Sequence, residues 1–293
     1  MTERSLLEVE ELTKYFGKTK VLDQVSFSVQ KGEAFGLVGE SGCGKTTLGR
    51  TVLGLYGADG GSVRFDGEEI LGAKGEKRKR LARKMQMIFQ DPIASLNPRM
   101  TVCEIVSEGL LIHGERRGQV LDERVKKALS DVGLPSSALG RYPHEFSGGQ
   151  RQRIGIARAV VLEPELIIAD EPVSALDVSV QAQVVNLLSD LREEMGLTVL
   201  FVAHDLSVVK YFCDRVAVMY AGQIVELAPS KKLFSSPKHE YTRSLLSAIP
   251  LPDPKRAKRL KRIPFEEKMG ENIGAGTCLT EVSEGHFVRR KAK

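Results

Sequence analysis

Tryptophan is absent from the 293 residues, and aromatic side chains of any kind make up only 6% of them. With 28 glycines alongside, that composition fits an α/β protein with many tight strand-to-helix turns better than an all-β sandwich. Cysteine is scarce as well. Cys43, Cys103, Cys213 and Cys278 lie far apart with no CxxC pair, so neither a zinc site nor a disulfide framework is indicated, and reduced thiols in a cytosol are the simplest reading. No apolar stretch approaches the length needed to cross a bilayer, and the opening MTERSLLEVEEL is too acidic and too short in apolar run for a secretory signal. A soluble chain is expected, with any membrane role coming through other chains. Internal repeats and low-complexity tracts are missing too.

Hydrophobic residues make up 42% of the sequence, enough to bury one large core, alone or with a smaller appended layer. The formal charge of +5 is compatible with a nucleic-acid binder, an enzyme of anionic ligands or a protein beside anionic lipid, and does not choose among them. Segments 6–12 and 21–29 alternate partially, Lys31 and Gly32 follow as a turn, and 62–66 closes on Asp66-Gly67, so antiparallel strands are expected there. Ala34–Val38 is instead a continuous apolar run, as in a strand buried on both faces, and a helix is expected from Lys45. Residues 104–133 read as helical, with Gly133 and Pro135 as stops, and another helix is expected at about 149–162. This middle third is an α-rich insert. Strand and helix then alternate through 166–169, Val178–Met195, Thr198–Ala203, Leu206–Phe212 and Arg215–Tyr220, implying a parallel sheet with right-handed crossovers and an α/β fold. Beyond Glu226, Pro229, Pro237, Pro250, Pro252 and Pro254 break the chain ahead of a basic run at 255–262, and a domain boundary is expected near 230.

Between the buried strand and the helix start stand Gly39, Glu40, Ser41, Gly42, Cys43, Gly44, Lys45 and Thr46, a match to GxxxxGK[ST] in the context that motif requires. Glycines let backbone N–H groups turn inward round phosphates, and the helix N-terminus adds positive potential. Lys45 would hold the β- and γ-phosphates, and Thr46 would give an oxygen to Mg²⁺. Residues 166–171 are an apolar strand ending in Asp170 and Glu171, at the end where open α/β sheets bind ligands. Asp170 can face the metal of a Mg-nucleotide and Glu171 can polarise the attacking water, although Asp-Glu-Pro also ends strands and starts helices with no chemistry attached. Between these motifs, Phe146, Ser147, Gly148, Gly149, Gln150 and Arg151 stand directly ahead of a helix, a second anion site by the same physics. One ATP hardly needs two cradles from one chain, unless the second serves the ATP of a partner.

At Ser-Gly-Gly-Gln the chain resembles the ATP-binding cassette (ABC) family, over about residues 6–230 and through six motifs in order: Phe16, the loop 39–47, Gln90, the signature 147–151, Asp170-Glu171, and Ser174 to Asp177 followed by His204. The resemblance implies a P-loop NTPase core of RecA-like type, with an antiparallel β subdomain and an α-helical subdomain at about 91–162, in a nucleotide-binding domain at 1–230. It implies two cassettes packed head to tail, each ATP held between the loop of one, through Thr47, and the Ser147, Gly148, Gly149 and Gln150 turn of the other. Ser147 and Gly149 would grip the opposite γ-phosphate. Asp177 would lie at the dimer seam, cap its helix, or both. Phe16 would stack on the adenine, with Tyr15 able to exchange roles. Catalysis would rest on Glu171, His204 and Gln90, and the metal on Thr46, Gln90 and Asp170.

Residues 87–102, MIFQDPIASLNPRMTV, are similar to the oligopeptide/dipeptide importer ATPases, and 239–252, HEYTRSLLSAIPLP, to the start of that branch's C-terminal extension, here 231–293. The expectation is an ATPase at the cytoplasmic face of the cell membrane. Its partners would be a second cassette subunit, identical or paralogous, two transmembrane permease subunits contacted through 90–102, and an extracytoplasmic substrate-binding protein. Two rivals stand beside it, a cassette ATPase of a soluble phosphonate-breakdown complex and a nucleic-acid-associated cassette. The proline-broken extension favours the importer over the first, and the single loop and signature oppose the second, so nucleic acid is not an expected partner. Many members of the branch carry a cysteine-rich tail able to hold an iron–sulfur cluster, which the single Cys278 cannot ligate. Lys74, Lys77, Arg78, Lys79, Arg80, Arg83 and Lys84 lack interleaved aromatics and read as a solvated helix face. The run 255–262 reads as a flexible tail or a contact with anionic headgroups, and Cys43 as a filler whose thiol ATP should protect from alkylation.

Overall fold

Apolar residues recur with a period near two along the N-terminal segments, and each period becomes a strand face. In Thr19–Gln30, Leu22, Val25, Phe27 and Val29 are buried while the residues between them are half-buried or exposed. This strand is followed across an antiparallel sheet by Ser5–Phe16, Gly60–Phe65 and Glu68–Glu69. Gly17, at φ 60°, turns the first hairpin, and the register against Gly60–Phe65 slips between Glu10 and Thr13, where Glu11 takes φ 49°. The strands expected at 6–12 and 21–29 are present and extend further at both ends, and the one expected at 62–66 starts earlier and stops at Phe65.

The structure is a computed structural model that describes residues 5–248, 265 and 276–291. They fall into two units: one of Gln30–Glu33 and Gly72–Val202, the other of Ser5–Val29, Ala34–Leu71 and the described part of Ala203–Lys293.

The first unit carries three parallel strands, with Leu166–Asp170 between Met85–Ile88 and Thr198–Ala203. Its helical part is three mutually packed helices, Val102–Ile112, Gln119–Asp131 and Gly148–Val160. Ile105, Val106, Leu110, Leu121, Val125, Leu129, Ile154 and Ala157 are buried there, with Gly109 set against Leu162 closely enough that an added Cβ would come within 3.1 Å of it. The continuous helical stretch expected over 104–133 is broken into two. Gly114, at φ 91°, ends the first helix and Gly118 precedes the second, the permissive backbone of glycine outweighing the apolar periodicity on either side. The basic stretch forms the helix Gly75–Lys84, which buries only Leu81 and sends Arg83 to Glu115 and Lys84 to Glu165.

In the second unit Ala34–Val38, all five residues buried, pairs in parallel with Arg215–Tyr220, which turns through Ala221 and Gly222 into antiparallel Gln223–Pro229. Residues on both sides of position 230 belong to this unit. His286–Lys291 pairs with Gln223–Pro229, and Thr277–Ser283 pairs with His286–Lys291, so the end of the chain adds a hairpin to the same sheet. The helix Glu240–Ser247 buries Tyr241 and Thr242. The basic run 255–262 lies outside the described residues.

Candidate functional site

The phosphate loop of the second unit is a strand-to-helix joint that only glycine can make. An added Cβ would lie 2.2 Å from the Met219 carbonyl oxygen at Gly39 and 2.8 Å from the Val21 carbonyl oxygen at Gly44. At Gly42 it would meet nothing within 4 Å, but φ is +82°. The loop therefore winds tightly against neighbouring backbone, a winding that suits a chain of phosphates. The helix Lys45–Val52 begins at once after it, with Thr46 and Thr47 in the first turn. Lys45 is 4% exposed, and its ammonium donates to the carbonyl oxygens of Gly39 and Glu40, both at 2.8 Å, so one cation is held at the centre of the ring. Ser41 is exposed at the rim. The loop's outer edge is bound as well, because the Glu40 N–H donates to the hydroxyl of Tyr241 at 3.0 Å.

Cys43 bears on the expected alkylation. Its sulfur is buried, and burial pushes the thiol pKa up against the opposing pull of Lys45, 3.8 Å away. A buried, protonated thiol is a poor target for alkylation even without nucleotide.

Phe16 and His204 also lie in the second unit. Phe16 is 46% exposed and meets Tyr56 edge to face at 5.4 Å, and Tyr15 is 39% exposed with Lys20 above its ring. Both aromatics are partly exposed at the strand end, so the adenine role stays open between them. His204 is exposed immediately after Thr198–Ala203.

In the first unit, Asp170 closes the buried strand Leu166–Asp170 at 1% exposure, and Glu171 follows in a left-handed conformation at φ 46°. For a residue with a Cβ that conformation costs roughly 1 kcal/mol, and it turns consecutive carboxylates in different directions. The Glu171 N–H is tied to the Val202 carbonyl at 2.9 Å. Gln90 Nε2 donates to Glu171 Oε2 at 2.9 Å, across 81 residues of sequence. The two groups expected to handle water are thus joined directly. Next to Gln90, Asp91 caps Pro92–Ser95, and Arg158 reaches from the signature helix to the Ser95 carbonyl at 2.6 Å, so the 90–95 loop is fastened to that helix.

Ser147 and Gln150 form a reciprocal capping box at the head of Gly148–Val160, with Ser147 Oγ accepting from the Gln150 N–H and Gln150 Oε1 from the Ser147 N–H. Ser147, Gly148 and Gln150 face outward. Gly149 is required by packing, since an added Cβ would come within 2.5 Å of Val180 Cγ1. Val180 opens the helix Val178–Met195, which Asp177 caps through its own bond to the Val180 N–H at 3.0 Å. The Ser179 hydroxyl and that N–H hold the Asp177 carboxyl below its ordinary range. Signature and Asp177 are therefore one exposed, mutually packed surface. Asp177 caps its helix, which leaves the seam role as a further expectation.

Sequence reasoning passed over Tyr241 as a member of the site. The run at 239–252 drew attention only as a branch marker, and nothing local announces that its tyrosine meets the loop. The terminal hairpin was legible in principle, because Glu284-Gly285 sits between two β-prone runs.

The chain is also similar to known proteins. A family model described as "ABC transporter" matches residues 22–174, and one described as "Oligopeptide/dipeptide transporter, C-terminal region" matches 225–279. The "Oligopeptide transport ATP-binding protein OppF" of Bacillus subtilis (strain 168) is 55% identical over 295 residues, covering 98% of this chain and 96% of its own. Among solved structures, cbiO1 from Clostridium perfringens, part of the ABC transporter complex cbiONQ, superposes with a TM-score of 0.73 at 29% identity, covering 80% of this chain and 92% of its own. The ATP-binding cassette MJ0796, solved as a dimer in a post-hydrolysis state with ADP and Pi, gives 0.69 at 28% identity, covering 76% of this chain and 98% of its own.

Proposed function

The chain belongs to the ABC transporter family and is an ATPase coupled to transport, and from that premise we propose how its residues divide the work of a peptide importer. The observation that carries the importer reading is the second match: the region typical of oligopeptide/dipeptide transporters follows the cassette in the same chain, and the relative OppF bears an oligopeptide transport name. A soluble phosphonate-breakdown role has no such support.

In this reading the backbone of Gly39 to Thr47 and the ammonium of Lys45 hold the phosphates of ATP, and Phe16 or Tyr15 takes the adenine. The residues fit the nucleotide, because glycine at 39, 42 and 44 gives the loop a tight winding that a Cβ would obstruct or strain, and one buried cation is already held by its carbonyls. Thr46, Asp170 and Gln90 offer only oxygen donors, the set that suits Mg²⁺ rather than a softer metal. When bound, the ion would neutralise charge on the β- and γ-phosphates. Glu171 draws a proton from water while Gln90, bonded to it, fixes that water's direction. The water oxygen bonds to the γ-phosphorus as the bond to the bridging oxygen breaks, giving ADP and phosphate. His204 steadies the γ-phosphate.

The turn Ser147 to Gln150, with Ser147, Gly148 and Gln150 exposed beside Asp177, receives with Gly149 the nucleotide of a second cassette subunit, identical or paralogous. Two permease subunits dock through 90–102 and the neighbouring groove lined by Met100, Glu104, Ser107, Leu111, Ile112 and Arg117, where Ile93 and Ile112 are exposed. Among the described residues no helix is long and apolar enough to cross a membrane. In this reading the chain is held at the cytoplasmic face by those partners, with an extracytoplasmic binding protein delivering the peptide. The test is uptake of a labelled oligopeptide by cells lacking this chain. Uptake returns with the parent and not with Lys45→Ala, and the parent copurifies with hydrophobic permease chains. Uptake unaffected by the deletion, with the parent copurifying only with soluble enzymes, would overturn the reading.

A further inference from the structure

Tyr241 belongs to the C-terminal extension and is 201 residues from the phosphate loop in sequence, yet its hydroxyl receives the Glu40 N–H at 3.0 Å. The residue is 2% exposed. Its ring is set between Tyr220 and Phe265, with centroids 4.5 Å and 5.3 Å away, which fixes the hydroxyl in place. Burial pushes its pKa up, so the group stays neutral at any working pH. Behind the ring the approach is built from a buried carboxylate. Glu226, fully buried, accepts the N–H of Lys238 at 2.8 Å and of His239 at 2.9 Å, and His286 Nε2 lies 2.7 Å from it. His239 Nδ1 then caps the helix by accepting the Tyr241 N–H. The terminal hairpin, through His286, thus grips the strand that fixes the turn that aims Tyr241 at the loop.

The Gly39–Glu40 peptide carries two duties at once, its N–H donating to Tyr241 and its carbonyl, that of Gly39, receiving the Lys45 ammonium at 2.8 Å. A backbone N–H in a packed joint needs a partner. If the hydroxyl is removed, that planar peptide reorients to find another partner, and the Gly39 carbonyl that steers the Lys45 ammonium moves with it. We propose that Tyr241 is a positioning residue for nucleotide binding, through which the C-terminal extension sets the geometry of the phosphate loop. The inference rests on the ATPase reading above and extends it to a part of the chain outside the cassette motifs.

Tyr241→Phe in the full-length chain removes one oxygen and keeps the ring. Two readouts are taken: hydrogen exchange of the Glu40 amide without nucleotide, and the Kd for ATP, with Tm alongside. Exchange should quicken about tenfold and Kd rise roughly fivefold, the scale of one neutral hydrogen bond lost from a preorganised site. A purely structural tyrosine would lower Tm and leave Kd where it was. Unchanged exchange would show that the contact is absent, and faster exchange with unchanged Kd would show that it positions nothing; either overturns the inference while ATP binding by the parent stands. A parent that binds no ATP would overturn the functional reading and this inference with it.

Discussion

Alanine at Gly39, Gly44 and Gly42 gives a graded series within one loop, and the grading follows from distances. At Gly39 the new Cβ would lie 2.2 Å from the Met219 carbonyl oxygen, where a carbon and a carbonyl oxygen normally approach no closer than about 3.3 Å. Relief therefore needs roughly 1 Å of movement between two backbone segments, and neither is the free end of a side chain. Overpacking of that kind costs about 1–3 kcal/mol and sometimes more. Gly44 is milder: its Cβ would meet the Val21 carbonyl oxygen at 2.8 Å and the Met219 Cε at 2.9 Å, and only the methionine can swing aside. At Gly42 there is open space, so only the left-handed backbone at +82° is penalised, by about 1 kcal/mol. For a chain of this size each kcal/mol moves Tm by about 2–4 °C. Thermal denaturation followed by dye fluorescence should show Gly42→Ala within a few degrees of the parent, Gly44→Ala lower, and Gly39→Ala lowest. If Gly39→Ala melts with or above Gly42→Ala, the close approach to Met219 is not what demands glycine there.

Three further outcomes follow from the same geometry. Glu171→Gln keeps the Gln90 contact in shape but removes the base, so ATP binding should persist while phosphate release from the purified chain falls on the order of a hundredfold or more; release at the parental rate would remove Glu171 from its role. Ser147→Ala deletes one half of a capping box and should lower stability by about 1 kcal/mol, read as a shift in Tm without nucleotide, whereas an unchanged Tm would mean that the hydroxyl does not cap. Iodoacetamide at neutral pH should modify exposed Cys278 well before Cys43, because the thiol of Cys43 is held protonated above its ordinary range and its thiolate fraction grows only as pH rises through that raised value. Mass spectrometry of the two peptides checks this, and equal rates would mean that the loop opens without nucleotide.

What could be read in advance were features whose cause is local. Ala34–Val38 is five apolar residues followed by glycine, and a strand buried on both faces leaves few other sequences possible. The capping boxes at Thr101-Glu104 and Ser147-Gln150 follow from side chains three residues apart. Position 114 marks the limit of that logic. The expected helical stretch 104–133 has no apolar residue between Ile112 and Val120, and Gly114 at φ 91° and Gly118 at φ 155° frame that gap, so the break lies in glycines and polar residues that a reading by apolar period passes over. The Gln90–Glu171 bond lies further out of reach, since it depends on two parallel strands bringing together residues 81 apart. Motif order suggested both residues, but it did not show that they touch.

The C-terminal region shows why the distant part of a site is hardest to see. Tyr241 sits among residues that look like an ordinary amphipathic turn of helix, and its burial at 2% is what any core aromatic would have. Its hydroxyl has a role only because Glu226, His239 and His286 converge from three separate stretches of chain to aim it. Each of those residues, taken alone, is a charged or titratable side chain of the kind normally left at the surface. Burying Glu226 completely is costly unless every one of its partners is in place. Removing the His286 imidazole should therefore disturb more than the hairpin that carries it: the Glu226 carboxylate would turn in search of another partner, the 238–239 turn would lose its anchor, and the loosened element would be the one that holds Tyr241 against the phosphate loop.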